Sequence, residues 1–416
     1  MLKKLEKLYA VLMLVYLAEA LIPTNQTVAE QGRNLNHANV LAQMALFPIL
    51  GILLFLHRER ILAGLWRSGW LLAICTLTMV SAAWSIDPAF TLRRAVILLA
   101  TTLFGVYLAT CFDWEEQTGL FGWMTIVCVL GSFVLIVFFP EYGLSHDLHF
   151  GSWKGMFPHK NALGMKMAFG ILLLYFTKPQ EIPAWVRNAT IAGAIILLIF
   201  SGSATPVVSA AFCLAVFPLL HITRVKSKGT LPLWVPLIPF ALCLAVLLVE
   251  GSTLVLDTLG KDTTLTGRTP LWAAVADAIK LRPWLGYGYA VFWVGGNVDS
   301  LTVIKIAGWS APHAHNGYLD TCLDLGFAGL GVFLAGVGVA LSRALKLFQE
   351  ATTREEKWPL VFLLFFLAYN VTESSIFRTH TFLWLPYTWT FVALALQRSE
   401  ASETVREPAM IPEYTA

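Results

Sequence analysis

The chain has 416 residues, of which 57% are hydrophobic and 13% charged, with a formal net charge of +3. A water-soluble domain could not keep so much apolar side chain from water, so the composition excludes one and predicts a polytopic helical membrane protein. A transmembrane β-barrel is also excluded, because its strands would give short alternating segments, whereas these apolar runs are continuous. We expect an all-α fold, with residues 1–416 in a single integral membrane domain.

About twelve segments have the length and apolar character of transmembrane helices. They cover residues 8–22, 39–56, 69–85, 94–112, 119–139, 161–177, 185–200, 204–221, 231–250, 317–342, 358–371 and 380–397. The opening MLKKLEKLYAVLMLVYLAEA is also typical of a signal peptide, but we expect it to stay uncleaved as the first helix. The polar segment 399–416 is expected to be a disordered cytoplasmic tail.

Basic residues in short connections predict the orientation. They precede the first helix and occupy the loops after the second, eighth and tenth helices, which share one side if there are twelve spans. These residues are Lys3, Lys4, Lys7, Arg58, Arg60, Arg67, Arg224, Lys226, Lys228, Arg343, Lys346 and Arg354. The positive-inside rule makes this side cytoplasmic and leaves both termini inside.

The outer face then receives residues 251–316, a connection that is longer than two adjacent helices need. It contains an amphipathic helix, PLWAAVADAIKL at 270–281, whose apolar face carries Leu271, Trp272, Val275 and Ile279. Thr269 is a candidate cap, and Pro270 suits the first helical position. We expect this loop to lie on the membrane as a lid.

Basic residues also collect on the predicted outer face, where the positive-inside rule expects few. They lie at helix ends and flank the loop helix: Arg93, Arg94, Lys154, Lys160, Arg268, Arg282 and Arg378. Each alone could snorkel to the headgroups, but as a set beside helix N-termini they suit a bound polyanion. Asn161 in FPHKNALG and Asn316 in PHAHNGYL are expected to cap two of these helices.

Three charged residues fall inside predicted spans. Lys166 lies about one and a half turns into the sixth span, and Asp320 and Asp324 lie on one face of the tenth. A charge at the bilayer centre costs about 2.5–3.5 kcal/mol on insertion scales, so these residues are functional candidates. Alternatively, they pair with each other or stay near the interface.

The stretch APHAHNGYLDTCLDLG places His313 and His315 just before a helix, and three interpretations remain open. They could bind a metal with Asp320, His159, His146 or His149, but no recognised ligand motif supports this, so we predict no metal site. His315 could be a general base, because the helix dipole keeps its imidazole neutral and able to accept a hydroxyl proton. Both could also be structural loop residues.

Four blocks carry a resemblance to a known family. HNGYLDTCLDLGFAGL resembles the H-N-x-x-L-x-x-x-x-x-x-G signature of the O-antigen ligase / Wzy-type polysaccharide polymerase superfamily. TLTGRTPLW and RPWLGYGY resemble the blocks that precede that signature, and GMFPHKNALG resembles a block of the exopolysaccharide-production (ExoQ-like) branch. The resemblance covers approximately residues 70–395.

The resemblance implies metal-independent, inverting glycosyl transfer without a cofactor, at the periplasmic face of the bacterial inner membrane. The donor would be a glycan on undecaprenyl pyrophosphate, and the acceptor a hydroxyl of another lipid-linked glycan or of lipid A–core, giving exopolysaccharide or lipopolysaccharide. Other expected partners are membrane lipid and, as candidates, chain-length regulator or export proteins; nucleic acid is not expected.

The same resemblance implies roles for individual residues. His315 would be the catalytic base and Arg268 would contact the donor pyrophosphate. Further phosphate contacts would come from Arg282, Lys160 and Arg94, and supporting positions are His313, Asn316, His159 and Asp320. SGSATP has Ala204 where ligases often carry arginine, so we expect Lys160 or Arg94 to supply that charge.

Two other functions fit the same composition. A secondary transporter of an anionic solute also has about twelve spans, but its site should lie near the bilayer midplane in broken helices. The polar residues here crowd one face, which favours the enzyme. A non-catalytic scaffold for polysaccharide export is the third hypothesis.

Overall fold

A computed structural model of the chain describes residues 2–20, 37–146, 150–226, 268–294, 297–378 and 382–404. Within these ranges the fold is all-α, as predicted. Its helices in chain order are α1 (Leu2–Leu17), α2 (His37–Leu56), α3 (Arg58–Arg67), α4 (Gly69–Val80), α5 (Pro88–Cys111), α6 (Trp114–Phe138), α7 (Pro140–Gly143), α8 (Lys160–Thr177), α9 (Ala184–Ser201), α10 (Ala204–Lys226), α11 (Arg268–Leu281), α12 (Val298–Ala307), α13 (Gly317–Glu350), α14 (Trp358–Tyr369) and α15 (Trp384–Thr404). Short 3₁₀ turns lie at Ser81–Ala83 and Glu355–Lys357.

A helix lies at each predicted membrane segment except 231–250, which falls outside the described residues. One sequence prediction was wrong, and the disordered tail at 399–416 stays a prediction. The basic stretch after the second segment is the amphipathic helix α3, because Ile61 and Gly64 bury one face of it. The last helix continues to Thr404, beyond the predicted start of the tail at 399; residues 405–416 lie outside the description.

Within the described residues, α5, α6 and α13 are each long and apolar enough to cross a membrane. The bent pair α2 and α3, which meet at 87°, would make a fourth span. The outer surfaces of several helices are apolar: Val137, Phe138 and Ile199 are 65%, 71% and 64% exposed. Such surfaces suit lipid better than water. The count of twelve spans and their orientation remain predictions.

The core is built around α5, α14 and α15. Helix α5 packs on α15, α4 and α3, while α8 packs between α9, α10 and α6. Every residue of α14 is buried. That helix is therefore enclosed by protein, which agrees with its continuous apolar sequence.

Helix α13 is broken at Gly326, where the backbone has φ 64° and ψ −168°. The segment Pro283–Gly288 binds the backbone groups that the break exposes. Phe327 N donates to Pro283 O at 2.7 Å, and Tyr287 N donates to Leu323 O at 2.8 Å. The block RPWLGYGY is thus hydrogen-bonded to the break in the HNGYLDTCLDLG helix.

Only glycine fits at this break, for two reasons. Its φ lies in the left-handed region, and a Cβ built at Gly326 would lie 2.2 Å from the carbonyl carbon of Trp284. The block RPWLGYGY also contacts the turn between α4 and α5, because Trp84 Nε1 donates to Leu285 O at 2.9 Å and Tyr289 N donates to Ser81 Oγ at 3.0 Å. The glycine of the signature therefore fixes the outer loop to the helical core.

The charges inside the predicted spans are paired, but not with each other. Lys166 Nζ lies 3.4 Å from Glu19 Oε2 and 5.0 Å from the centre of the Phe157 ring. Asp320 and Asp324 instead pair with Arg378, at 3.2 and 3.6 Å. The alternative in which the lysine pairs with the aspartates was therefore wrong. The lysine pairs with a glutamate just after α1, and the aspartates pair with an arginine that precedes α15.

Replacing Gly326 with alanine should destabilise the protein by about 3 kcal/mol or more, from left-handed strain together with the clash at Trp284. Gly331→Ala, on the same helix, is the matched control, because a Cβ there would meet nothing within 4 Å. Thermal unfolding of the detergent-solubilised protein measures both. Equal unfolding temperatures for the two variants would contradict the close approach at the break.

Lys166→Met should lower the unfolding temperature, because it leaves Glu19 without its cation in a buried setting. We expect a cost of up to about 3 kcal/mol, since loss of one partner of a buried pair typically costs roughly 3–5 kcal/mol and Glu19 is partly exposed. The double variant Glu19→Gln with Lys166→Met should recover most of the loss. A double variant no more stable than Lys166→Met would show that the two side chains are not coupled.

Candidate active site

Asn316 begins helix α13 as predicted. Its side-chain oxygen accepts hydrogen bonds from Tyr318 N at 3.0 Å and Leu319 N at 3.1 Å, and its amide group donates to Val371 O at 3.0 Å. The cap therefore binds two free backbone N–H groups in the first turn of α13, and it also joins this turn to the segment that follows α14.

His315 precedes this cap with a φ of 48°, which is rare for a residue with a side chain. Its backbone N–H donates to Nδ1 of His313 at 3.1 Å, and the two ring centroids are 4.0 Å apart. Strained backbone of this kind is retained where the surroundings fix it, and it is common at functional sites. The two imidazoles are thus held side by side.

Helix α11 supports the histidine segment. Trp272 Nε1 donates to Ala314 O at 2.8 Å, between the two histidines. The predicted apolar face is confirmed, since Leu271, Val275 and Ile279 are buried. The helix begins at Arg268 instead of Pro270, so Thr269 lies inside the first turn and is not the cap. Proline is tolerated in a first turn, where it loses no hydrogen bond.

Glu373, from the segment after α14, joins the predicted site residues. Its Oε1 accepts from Arg268 Nη2 at 3.3 Å and from Asn161 Nδ2 at 3.0 Å. Its Oε2 lies 3.4 Å from Nδ1 of His315, which is within ion-pair reach but lacks hydrogen-bond geometry. Gly317 N donates to the Glu373 carbonyl at 3.0 Å. The first turns of α8, α11 and α13 therefore meet at this one residue.

The electrostatics of this cluster favour a charged carboxylate and a neutral imidazole. Burial by itself raises the pKa of Glu373, but His315 and Arg268 outweigh it and bring the pKa down to about 2. Burial, together with the neighbouring His315, lowers the pKa of His313 to about 3. Glu373 is thus an anion at neutral pH, and His313 is uncharged.

The start of α8 corrects one prediction. His159, and not Asn161, is the cap: its Nδ1 accepts from Asn161 N at 3.2 Å. The Asn161 side chain is therefore free to bond Glu373, and its oxygen accepts from Ser203 Oγ at 2.9 Å. Ser203 belongs to the hinge SGSATP, so the hinge contributes hydroxyl groups to the site.

Asp320 ties three connections together. Its carboxylate accepts from Trp293 Nε1 at 2.7 Å and from Ala314 N at 3.2 Å, and it also accepts from Ser374 Oγ. It pairs with Arg378 at 3.2 Å. Because it is nearly fully buried and bonds the residue between the two histidines, Asp320 fixes the position of that segment.

The other predicted phosphate contacts are not all close to His315. Lys160 is the first residue of α8, next to Asn161. Arg94 stacks on the Phe90 ring at 5.0 Å and lies near Arg378, on the Asp320 side of the site.

Arg282 lies 4.8 Å from the Tyr287 ring centre, just past the end of α11. It is fourteen residues along α11 from Arg268, which is about 21 Å at 1.5 Å per residue. Of the two arginines only Arg268 bonds Glu373, and a shared role of both at one diphosphate stays a prediction.

Among the residues that the structure describes, one group of side chains could hold a metal ion. His313, His315 and Glu373 each offer a ligand atom, and these atoms all lie within 4.8 Å of one another. Glu373 was not among the metal ligands that the sequence analysis considered. Asp320 bonds elsewhere and His159 caps α8, while His149 lies outside the described residues.

Sequence reasoning missed Glu373 and the role of the Asn161 side chain. The available signal was an acidic residue in NVTESSIF, a short connection between two apolar segments on the same predicted face as the basic residues. An acid in such a position needs a cation nearby. Its partners, Arg268 and His315, come from connections far away in the chain, so the sequence alone does not identify them.

Comparison with known proteins identifies what the chain resembles. Residues 189–334 match the family described as O-Antigen ligase. The "Exopolysaccharide production protein ExoQ" of Rhizobium meliloti (strain 1021) is 26% identical over 276 residues, which cover 63% of this chain and 61% of that protein. The chain thus spans less than two thirds of the length of this relative. Both matches confirm the resemblance to the O-antigen ligase superfamily and its exopolysaccharide-production branch, and together with the apolar helices they indicate a multi-pass membrane protein.

Proposed function

We propose that the protein is a polysaccharide polymerase or O-antigen ligase type glycosyltransferase. It transfers a glycan from an undecaprenyl-pyrophosphate donor to an acceptor hydroxyl, without a metal and with inversion at the anomeric carbon. The observation that carries this proposal is the single carboxylate of Glu373, which contacts both Arg268 and His315. A cationic group and a candidate base are thereby held on two sides of one buried residue.

His315 is the proposed general base. Its Nδ1 faces Glu373, which leaves Nε2 for the acceptor hydroxyl. As the hydroxyl oxygen bonds to the anomeric carbon, its proton passes to Nε2 and the bond from that carbon to the diphosphate oxygen breaks. Glu373 then stabilises the imidazolium, as an orienting carboxylate does in other acid–base sites. The 3.4 Å separation can shorten when substrate binds.

The donor diphosphate would bind where the helix N-termini meet. Arg268 begins α11 and Lys160 begins α8, so each adds a cation to a helix end that already favours an anion. The departing group carries the negative charge away from the sugar, and these cations would stabilise that charge. A charge clamp of this kind replaces the Lewis acid of metal-dependent enzymes.

The position of the site relative to α8 supports a periplasmic location. The N-terminal end of α8 contributes Asn161 to the site, while Glu181, just beyond its other end, pairs with Lys7. Lys7 and Lys3 also bind Glu116, at 3.2 and 2.6 Å. The eighteen residues of α8 extend about 27 Å, close to a hydrocarbon core of about 30 Å. If the N-terminal lysines are cytoplasmic, the site faces the opposite compartment.

The outer connection also offers an apolar surface for the polyprenyl chain. In α12, Val298, Leu301 and Ile306 are exposed, and Trp284 is exposed next to the break in α13. Burying such side chains in lipid or against a lipid tail is favourable by about 25 cal/mol per Å². This surface suits an interfacial helix beside a lipid-linked substrate.

The transporter hypothesis fits this geometry less well. Arg268 begins a helix, His315 precedes one and Glu373 follows one, so the cluster lies at helix ends. A transport site is expected at the bilayer midplane instead. Uptake of an anionic solute into vesicles by a variant that makes no glycan would favour the transporter over the enzyme.

His315→Asn should abolish glycan transfer while preserving the fold. Asparagine tolerates the left-handed backbone at this position but cannot act as the base, and general-base catalysis is typically worth ~10²–10⁴-fold. The assay is glycan product from purified protein and lipid-linked donor, in the presence of EDTA, with thermal unfolding as the fold control. Transfer at the unsubstituted rate in His315→Asn would remove His315 from the mechanism.

Arg268→Ala should reduce transfer by ~10²-fold or more, because one charge-stabilising donor is worth roughly 10²–10³ in kcat. Arg282→Ala is the matched control, since it removes the same side chain a helix length away. Rates and donor affinity are measured for both variants with the same lipid-linked donor. If both variants lose the same activity, Arg268 has no special place at the diphosphate.

A further inference from the structure

His313, His315 and Glu373 form a compact set of nitrogen and oxygen ligands. One atom from each lies within 4.8 Å of the others. Two imidazoles and one carboxylate make a common zinc ligand set, in which the fourth position stays open. Mg²⁺ and Ca²⁺ prefer oxygen ligands, so the two nitrogens select a transition metal.

A second observation points to a ligand at the same place. Nδ1 of His315 is buried and makes no hydrogen bond among the described residues, although it lies 3.4 Å from Glu373 Oε2. Buried polar atoms are normally bonded, so an unbonded one beside a carboxylate and a second imidazole needs an explanation. A metal ion between these atoms would satisfy all three side chains.

The surroundings of the ligands are also ordered. Nδ1 of His313 accepts the His315 N–H at 3.1 Å, which fixes that ring and leaves its Nε2 open. The second oxygen of Glu373 is held by Asn161 at 3.0 Å and Arg268 at 3.3 Å. Outer partners of this kind orient metal ligands. The Arg268 charge also opposes a cation, so the metal should exchange readily.

We propose that His313, His315 and Glu373 bind Zn²⁺ reversibly, and that the bound ion switches the site off. A metal on Nδ1 of His315 leaves the ring proton on Nε2, so that nitrogen cannot accept a proton from a hydroxyl. The ion also takes Glu373 away from the imidazole that it orients. The binding site stands on the geometry alone, whereas the inhibitory effect rests on the proposed function.

The test is metal binding by the full-length protein in detergent, after EDTA treatment and exchange into metal-free buffer. Equilibrium dialysis against ZnCl₂ with elemental analysis should give one Zn²⁺ per chain. Co²⁺ should give the visible absorption of a four-coordinate site. His313→Gln and Glu373→Gln should each weaken binding by more than the ~10–100-fold that loss of an outer partner costs.

His146→Gln is the matched control. His146 is exposed and lies beside the Phe150 ring, away from the three proposed ligands in the sequence. It should bind Zn²⁺ as the unsubstituted protein does. Size-exclusion chromatography checks folding, and His313→Asn serves if His313→Gln aggregates. The proposal is overturned if the unsubstituted protein binds no more Zn²⁺ than the His313 variants, or if the His146 variant loses binding equally.

Transfer assays separate this inference from the proposed function. Zn²⁺ should inhibit transfer and EDTA should restore it, while binding itself is measured without any donor. One Zn²⁺ per chain with no inhibition would overturn the switch. Binding that depends on His313, in a protein whose His315→Asn variant still transfers glycan, would keep the metal site and overturn the proposed function.

Discussion

The site depends on one buried carboxylate. Glu373 is only 5% exposed, and an unpaired negative charge buried to this extent would be very costly. It remains charged because Arg268 and Asn161 bond one oxygen while His315 lies beside the other. Since these three partners come from three different helix ends, the need to satisfy this charge draws those ends together.

The break in α13 at Gly326 holds α11 in place for this cluster. A continuous helix would leave no backbone groups for the outer connection to bind. At the break, Tyr287 N donates to Leu323 O and Phe327 N donates to Pro283 O. The segment that follows α11 is therefore anchored to α13 by main-chain hydrogen bonds. The helix α11 begins 15 residues before Pro283, and its Trp272 then reaches the histidine segment. The position of Arg268 thus follows from the anchoring of RPWLGYGY.

Local features of this site could be predicted from the sequence. The apolar face of α11 and the Asn316 cap depend only on residues within a turn or two, and both are confirmed. The cap of α8 shows the limit of such reasoning. In FPHKNALG both His159 and Asn161 can cap, and the choice falls on the histidine because the asparagine side chain bonds Glu373. A tertiary contact decides between two local options.

The grouping of charges could not be predicted for the same reason. Sequence spacing already separates Arg268 and Arg282 by the length of the loop helix, but only the fold shows that Arg268 bonds Glu373. Motif membership groups residues by their order in the chain, whereas chemistry requires convergence in space. Glu373 was invisible to motif reasoning, yet it lies beside the strained residue: His315 has a left-handed backbone, its Nδ1 is 3.4 Å from the carboxylate, and Asn316 directly after it caps α13. The strain at His315 therefore coincides with its contact with Glu373.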